Sequence, residues 1–126
     1  AFFHIPLPEY HEAWEKGIRV GQKRENVCSP MLNSGFFTAL VESGSVLGTF
    51  SGHDHSNDYS AILNRICLTY GRSVGLDTYG ELNRGARVIE LMEGVADFES
   101  WICEEGGGTA DRFSYSGLLS REVSSA

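Results

Sequence analysis

The sequence has no run of about 18 apolar residues, so no membrane-spanning helix is predicted. It has no basic-then-apolar leader with a small-residue cleavage site. Basic residues are in the minority: 10 Lys and Arg face 17 Asp and Glu, for a net charge of −7. That balance argues against a nucleic-acid backbone binder, which needs a basic stripe. It leaves phosphate-ester substrates open, because bound cations reverse the local sign. Cysteine is scarce too. Cys28, Cys67 and Cys103 are odd in number and far apart, and without a CxxC spacing they exclude a zinc ribbon or a thioredoxin-like motif. They read as buried or incidental thiols, with one disulfide left open. No internal repeat of useful length is present.

What remains is the composition of an ordinary globular domain, 41% hydrophobic and 21% charged over 126 residues, enough for one core. The chain opens on an apolar stretch and not on Met, which predicts that further residues precede Ala1. Residues 1–7 read as a strand closed by Pro6 and Pro8. Pro8 opens a short helix with Glu9 and Glu12 near its positive end, and Gly17 stops it. His11 is read as a surface residue of this helix. Residues 17–33 are a polar loop, and their charges read as a solvated face. Asn33 or Ser34 is the expected cap of a second helix, whose Phe36, Phe37, Leu40 and Val41 recur at helical spacing before Gly44.

A short apolar run, 46–51, reads as a buried strand. The segments 59–63 and 66–70 form a hairpin through Asn64-Arg65, a poorer tight turn than Asn-Gly. Residues 71–85 are a loop by composition. The runs 87–91 and 97–103 alternate and read as a second hairpin. From Glu104 onward, three glycines and a serine-rich end predict a flexible tail. Local reading thus gives two helices and five or six strands, a mixed α and β domain.

Three histidines stand out. His53 and His55 flank Asp54 just after the strand at 46–51, and His4 lies 49 residues upstream of His53 on another apolar run. On a regular strand His53 and His55 would face opposite ways; Gly52 is expected to release the backbone from strand geometry. Histidines converging at strand ends make a metal site the leading expectation, since neutral imidazole suits Zn, Fe, Cu and Ni. A packed, hydrogen-bonded role is the bland alternative for each.

The longer pieces Phe3-His4-Ile5-Pro6-Leu7-Pro8-Glu9-Tyr10, Asn33-Ser34-Gly35-Phe36-Phe37, Gly52-His53-Asp54-His55-Ser56-Asn57-Asp58-Tyr59 and Tyr70-Gly71-Arg72-Ser73 occur in one order. Together they resemble the C-terminal part of a calcineurin-like metallophosphoesterase, of the purple-acid-phosphatase-related branch. The resemblance covers residues 1–103 and leaves 104–126 as a Gly/Ser-rich tail. It implies the C-terminal portion of a helix-flanked two-sheet β-sandwich, with the metal site at the strand ends. It also implies two transition metal ions (Fe, Mn or Zn) about 3.5 to 4 Å apart and phosphomonoester hydrolysis by metal-hydroxide attack. His4 and His53 would share one ion and His55 would serve the other. Asn57 and Asp58 could orient a liganding imidazole, and Arg72 or Arg87 could reach a phosphate oxygen; turn stabilisation and structural pairing are the respective alternatives. Tyr79 could line the mouth.

Three neutral imidazoles cannot offset roughly +4 of charge in a partly dry site. The resembled family supplies carboxylates in an Asp-x-His motif and a Gly-Asp motif, and a further ligand in a Gly-Asn-His motif. None of the three occurs in these 126 residues. The expectation is therefore half a site: a C-terminal fragment, inactive alone, whose partners are a phosphate ester and the missing N-terminal half of the domain. Neither nucleic acid nor a membrane is expected as a partner, and no general acid is assigned. A fragment with uncovered sheet edges is expected to be marginally stable and prone to association. The alternative is a non-catalytic module that keeps the core and binds a metal ion or a partner.

Overall fold

The computed structural model describes residues 1–125. Three helices and seven strands follow in the order α1 (Glu9–Lys16), β1 (Arg19–Val20), α2 (Phe36–Ser43), β2 (Gly48–Ser51), β3 (Ser60–Leu63), β4 (Ile66–Tyr70), β5 (Gly85–Leu91), β6 (Phe98–Glu104), β7 (Thr109–Ser114) and α3 (Tyr115–Ser125). They form a four-stranded sheet, ordered β1-β3-β4-β2, and a three-stranded sheet, ordered β5-β6-β7. This is a mixed α and β architecture of two sheets and three helices, as expected for the C-terminal portion of a metallophosphoesterase.

The β3–β4 hairpin is the centre of the molecule because both of its faces are covered. Side chains alternate across a strand. Ala61, Ile66, Leu68 and Tyr70 face α1 and α2, where they pack with Tyr10, Ala13, Phe37, Leu40 and Tyr59. Ile62 and Cys67 face the other way, onto Phe98, Phe113, Tyr115 and Leu118 of the second sheet and α3. Each fully buried aliphatic side chain of this kind is worth about 1.5–3 kcal/mol. The hairpin turns through Asn64 and Arg65, both left-handed at φ 47° and 66°, the backbone that a two-residue turn of matching twist demands.

Beside the hairpin, β2 runs parallel to β4, with Gly48 opposite Cys67 and Ser51 opposite Tyr70. Residues 1–4 line the free side of β2. Phe2 and Phe50 form a parallel bridge, and the Gly52 amide donates to the His4 carbonyl at 3.0 Å. The opening segment is therefore a bridge plus flanking bonds, shorter than the strand expected over 1–7. Gly35, with Asn33 Oδ1 accepting its amide at 2.9 Å, holds the cap position of α2 expected for Asn33 or Ser34. Gly44 closes that helix in the left-handed conformation, at φ 65°.

The stretch from Glu104 differs from its reading as a tail. β7 pairs antiparallel with β6 across a bulge between Ser100 and Ile102, and α3 follows with Tyr115 and Leu118 buried. Polar-rich segments order here because β6 offers a free edge and the second face of the hairpin needs a cover. No helix among the described residues is long and apolar enough to cross a membrane.

Candidate metal centre

The turn after β2 is built around a buried carboxylate. Asp54 Oδ2 accepts the Tyr70 hydroxyl at 2.5 Å and the Cys28 amide at 3.0 Å. Tyr70 itself is wedged edge-on between Tyr10 and Tyr59, with ring centroids 5.1 and 5.0 Å away. Burial, first, and then the hydrogen bond to Asp54 push the Tyr70 phenol far above its ordinary range, so it is a fixed donor. The turn is thereby nailed to β4 and to the 22–28 loop by protein contacts alone.

The backbone leaves strand geometry at His53 itself, φ 72°, and not through a left-handed Gly52. A histidine in that region is uncommon. The result is that His53 turns toward His4: their Nδ1 and Nε2 atoms are 3.3 Å apart, with the rings edge-to-face. Two nitrogens bound at about 2.0–2.1 Å to one tetrahedral ion sit about 3.3–3.4 Å apart. The observed spacing matches that value and is long for an N–H···N hydrogen bond.

His55 is held differently. Its Nδ1 lies 3.1 Å from the Tyr79 carbonyl and 2.8 Å from Thr78 Oγ1. Both contacts are made through Nδ1, so they fix the ring from that side and leave Nε2 as the nitrogen not used by them. The ring stacks on Tyr79 at 4.3 Å, and the Tyr79 hydroxyl takes the His55 amide at 3.2 Å while donating to Glu25 at 2.9 Å. His53, Asp54 and His55 line one open cleft of about 280 Å³ with Arg72, Ser73 and Thr78. A further donor joins them: Cys28, His53 and Asp54 have ligand atoms all within 4.8 Å of one another.

Asn57, Asp58 and Arg72 bond chiefly to the surrounding framework. Asn57 Oδ1 accepts the amides of Arg24 and Glu25, and its Nδ2 donates to the Glu25 carbonyl. Asp58 Oδ1 accepts the Gln22 amide at 2.8 Å. Arg72 spends Nε and Nη2 on Asp58 Oδ2, at 3.1 and 2.6 Å, and Nη1 on Glu104 and the Asn83 carbonyl. Arg87 ties the two sheets together, donating to the Tyr70 and Asp58 carbonyls and to Ser100 Oγ. His11 is exposed on α1, as expected.

Sequence reasoning missed Cys28, Thr78 and the anchoring pair Asp54–Tyr70. Cys28 lies in an unpatterned polar loop, and only the three-dimensional course of that loop brings it to the histidine turn.

A body of two sheets and three helices is consistent with the C-terminal portion of a metallophosphoesterase. The chain belongs to the purple-acid-phosphatase group of that calcineurin-like family and matches the C-terminal part of its members. It is 46% identical over 102 residues to probable inactive purple acid phosphatase 14 of Arabidopsis thaliana, covering 79% of this chain and 25% of that protein. It is 42% identical over 91 residues to probable inactive purple acid phosphatase 29 of the same plant, covering 71% of this chain and 23% of that protein. Phosphatase DCR2 of Saccharomyces cerevisiae is 36% identical over 114 residues, or 80% of this chain and 20% of the yeast protein. The chain thus spans about a quarter of the length of the curated relatives it matches. No protein-family model and no solved structure matches it. The family implies metal ions.

Proposed function

We propose that this chain supplies the three-histidine side of a binuclear metal site that hydrolyses phosphomonoesters, with His4 and His53 on one ion and His55 on the other. The observation that carries this reading is the approach of His4 and His53 to 3.3 Å from segments 49 residues apart. The chain's own residues do three things. Asp54 and Tyr70 hold the turn, Tyr79 and Thr78 hold the His55 ring, and the open side of the cleft leaves room for a phosphate ester. The ions (Fe, Mn or Zn) would supply Lewis-acid activation of water and of the phosphoryl oxygens. Further carboxylate ligands come from outside these residues, since this chain's imidazoles alone leave the charge of two cations uncompensated. The chain by itself is therefore inactive in this reading.

A second reading is favoured by the word "inactive" in the names of the Arabidopsis relatives: a non-catalytic module that keeps the core and one bound ion or a partner. Complementation separates them. The chain is mixed with a polypeptide carrying the Asp-x-His, Gly-Asp and Gly-Asn-His motifs of a relative, and metal-dependent hydrolysis of an aryl phosphate is measured. Turnover that is lost in His53→Asn and His55→Asn supports the phosphatase reading. A correctly assembled mixture that does not turn over refutes it in favour of the binding module.

A further inference from the structure

Three imidazoles bring no negative charge, yet the histidine turn is not short of anionic donors. The 17–33 loop passes beside it and delivers a thiol. Cys28 is exposed, and its Sγ lies in a cluster with a His53 ring nitrogen and an Asp54 carboxylate oxygen, all within 4.8 Å of one another. Its place is fixed by the Cys28 amide, which donates to Asp54 Oδ2 at 3.0 Å. Asp54 is in turn fixed by Tyr70 and is 3% exposed. The Cys28 backbone and the Asp54 side chain are thus tied before any ion arrives. His53 adjoins them on the turn and faces His4 as well.

We infer that Cys28, His53 and Asp54 hold one borderline-soft divalent cation, Zn²⁺ in type, within this chain alone. This rests on the reading of His53 as a metal ligand, and in the isolated chain it puts Cys28 and Asp54 beside His53 where the assembled site would use His4, which is not among the three clustered donors. Cysteine, histidine and aspartate are all ordinary zinc ligands, at about 2.3 Å for sulfur and 2.0–2.2 Å for nitrogen and oxygen. Sulfur and nitrogen on one tetrahedral ion sit about 3.6 Å apart, so the donors, within 4.8 Å of one another, close by at most about 1.2 Å on loading. The charge is compensated as well. A thiolate and a carboxylate carry two negative charges and match one divalent cation, which three imidazoles do not. Loading converts Cys28–SH and M²⁺ into Cys28–S–M⁺ and one proton released to solvent. The thiolate also sets the preference: zinc and cobalt are favoured over magnesium and manganese, which suit oxygen donors.

The test is titration of the 126-residue chain with Co²⁺, followed by near-ultraviolet absorption from thiolate-to-cobalt charge transfer, and competition with Zn²⁺. The expected result is one Co²⁺ per chain, a charge-transfer band displaced by Zn²⁺, and loss of that band in Cys28→Ser with at least about tenfold weaker binding. Alkylation read by mass spectrometry needs no variant: Zn²⁺ should protect Cys28 and leave Cys103, also exposed, as reactive as before. Co²⁺ binding without the band and without protection of Cys28 overturns the thiolate ligand while leaving the histidine site standing, provided that binding is lost in His53→Asn. An absence of stoichiometric binding overturns this inference, and turnover on complementation then decides the histidine site separately.

Discussion

Replacing Asp58 by asparagine is the sharpest probe of how the histidine turn is supported. Asp58 is fully buried and Arg72 nearly so, with side-chain exposures of 0% and 2%, and they are joined at 2.6 and 3.1 Å. An asparagine at this position would keep the volume and the acceptor for the Gln22 amide but remove the charge facing the guanidinium. Glu104, 25% exposed, remains as the only acidic side chain bridged to Arg72 among the described residues. Breaking one partner of a buried pair costs about 3–5 kcal/mol, because the other charge stays desolvated. At about 2.1 cal/mol/K per residue, unfolding a 126-residue domain moves by about 4 °C per kcal/mol. Asp58→Asn is thus expected to lower the melting temperature by about 12–20 °C. The assay is circular dichroism at low and high salt. The loss should persist in high salt because water and ions do not reach the pair. The double variant Asp58→Leu, Arg72→Met should recover part of the loss, since it removes both buried charges; the Gln22 amide and the part-exposed Glu104 still lose these partners. A single variant that melts within about 4 °C of the parent would refute the claim that this buried pair holds the framework around the histidine turn.

Three further outcomes are expected. Tyr70→Phe removes the donor at 2.5 Å from buried Asp54 and should destabilise by about 2 kcal/mol in urea unfolding, more than Tyr59→Phe, whose hydroxyl bonds a neutral carbonyl. Tyr79→Ala removes the ring stacked on His55 and the hydroxyl that takes the His55 amide, and should lower turnover of the complemented mixture about 10–100-fold, with little change in far-ultraviolet dichroism. Cys67 is fully buried, and burial pushes its thiol up from 9.0 to about 11. A raised pKa in the fold means that the stability is complete below pH 9 and is lost as pH rises toward 11. Melting temperature should therefore begin to fall near pH 9, less steeply in Cys67→Ala; equal slopes would count against the burial effect.

Much of the fold is legible in the residues because its central hairpin is so apolar. Tyr59 to Tyr70 alternates between two cores, and even the unfavourable Asn64-Arg65 turn could not disguise it. The last 20 or so residues were opaque for the opposite reason. β7 buries Phe113 and little else, and α3 buries Tyr115 and Leu118 among serines. Their order comes from a free strand edge and an uncovered sheet face, which no local window records. The histidines divide in the same way. His53 and His55 stand out as a pair, but the step that turns His53 to His4 is its own left-handed backbone, not the flexibility of Gly52. Cys28 had no spacing to betray it; its approach depends on a loop pinned by Asn57 and Asp58 from 32 to 36 residues away.

The aromatic wedge behind the turn gives the molecule an internal optical gauge. Trp14 lies 4.8 Å from Tyr59, which touches Tyr70, whose hydroxyl ends on Asp54. Indole emission depends on what surrounds the ring, so an event that moves the histidine turn and with it this stack, from cation loading to the docking of another polypeptide, should shift the Trp14 emission, read without a label in a Trp101→Phe background.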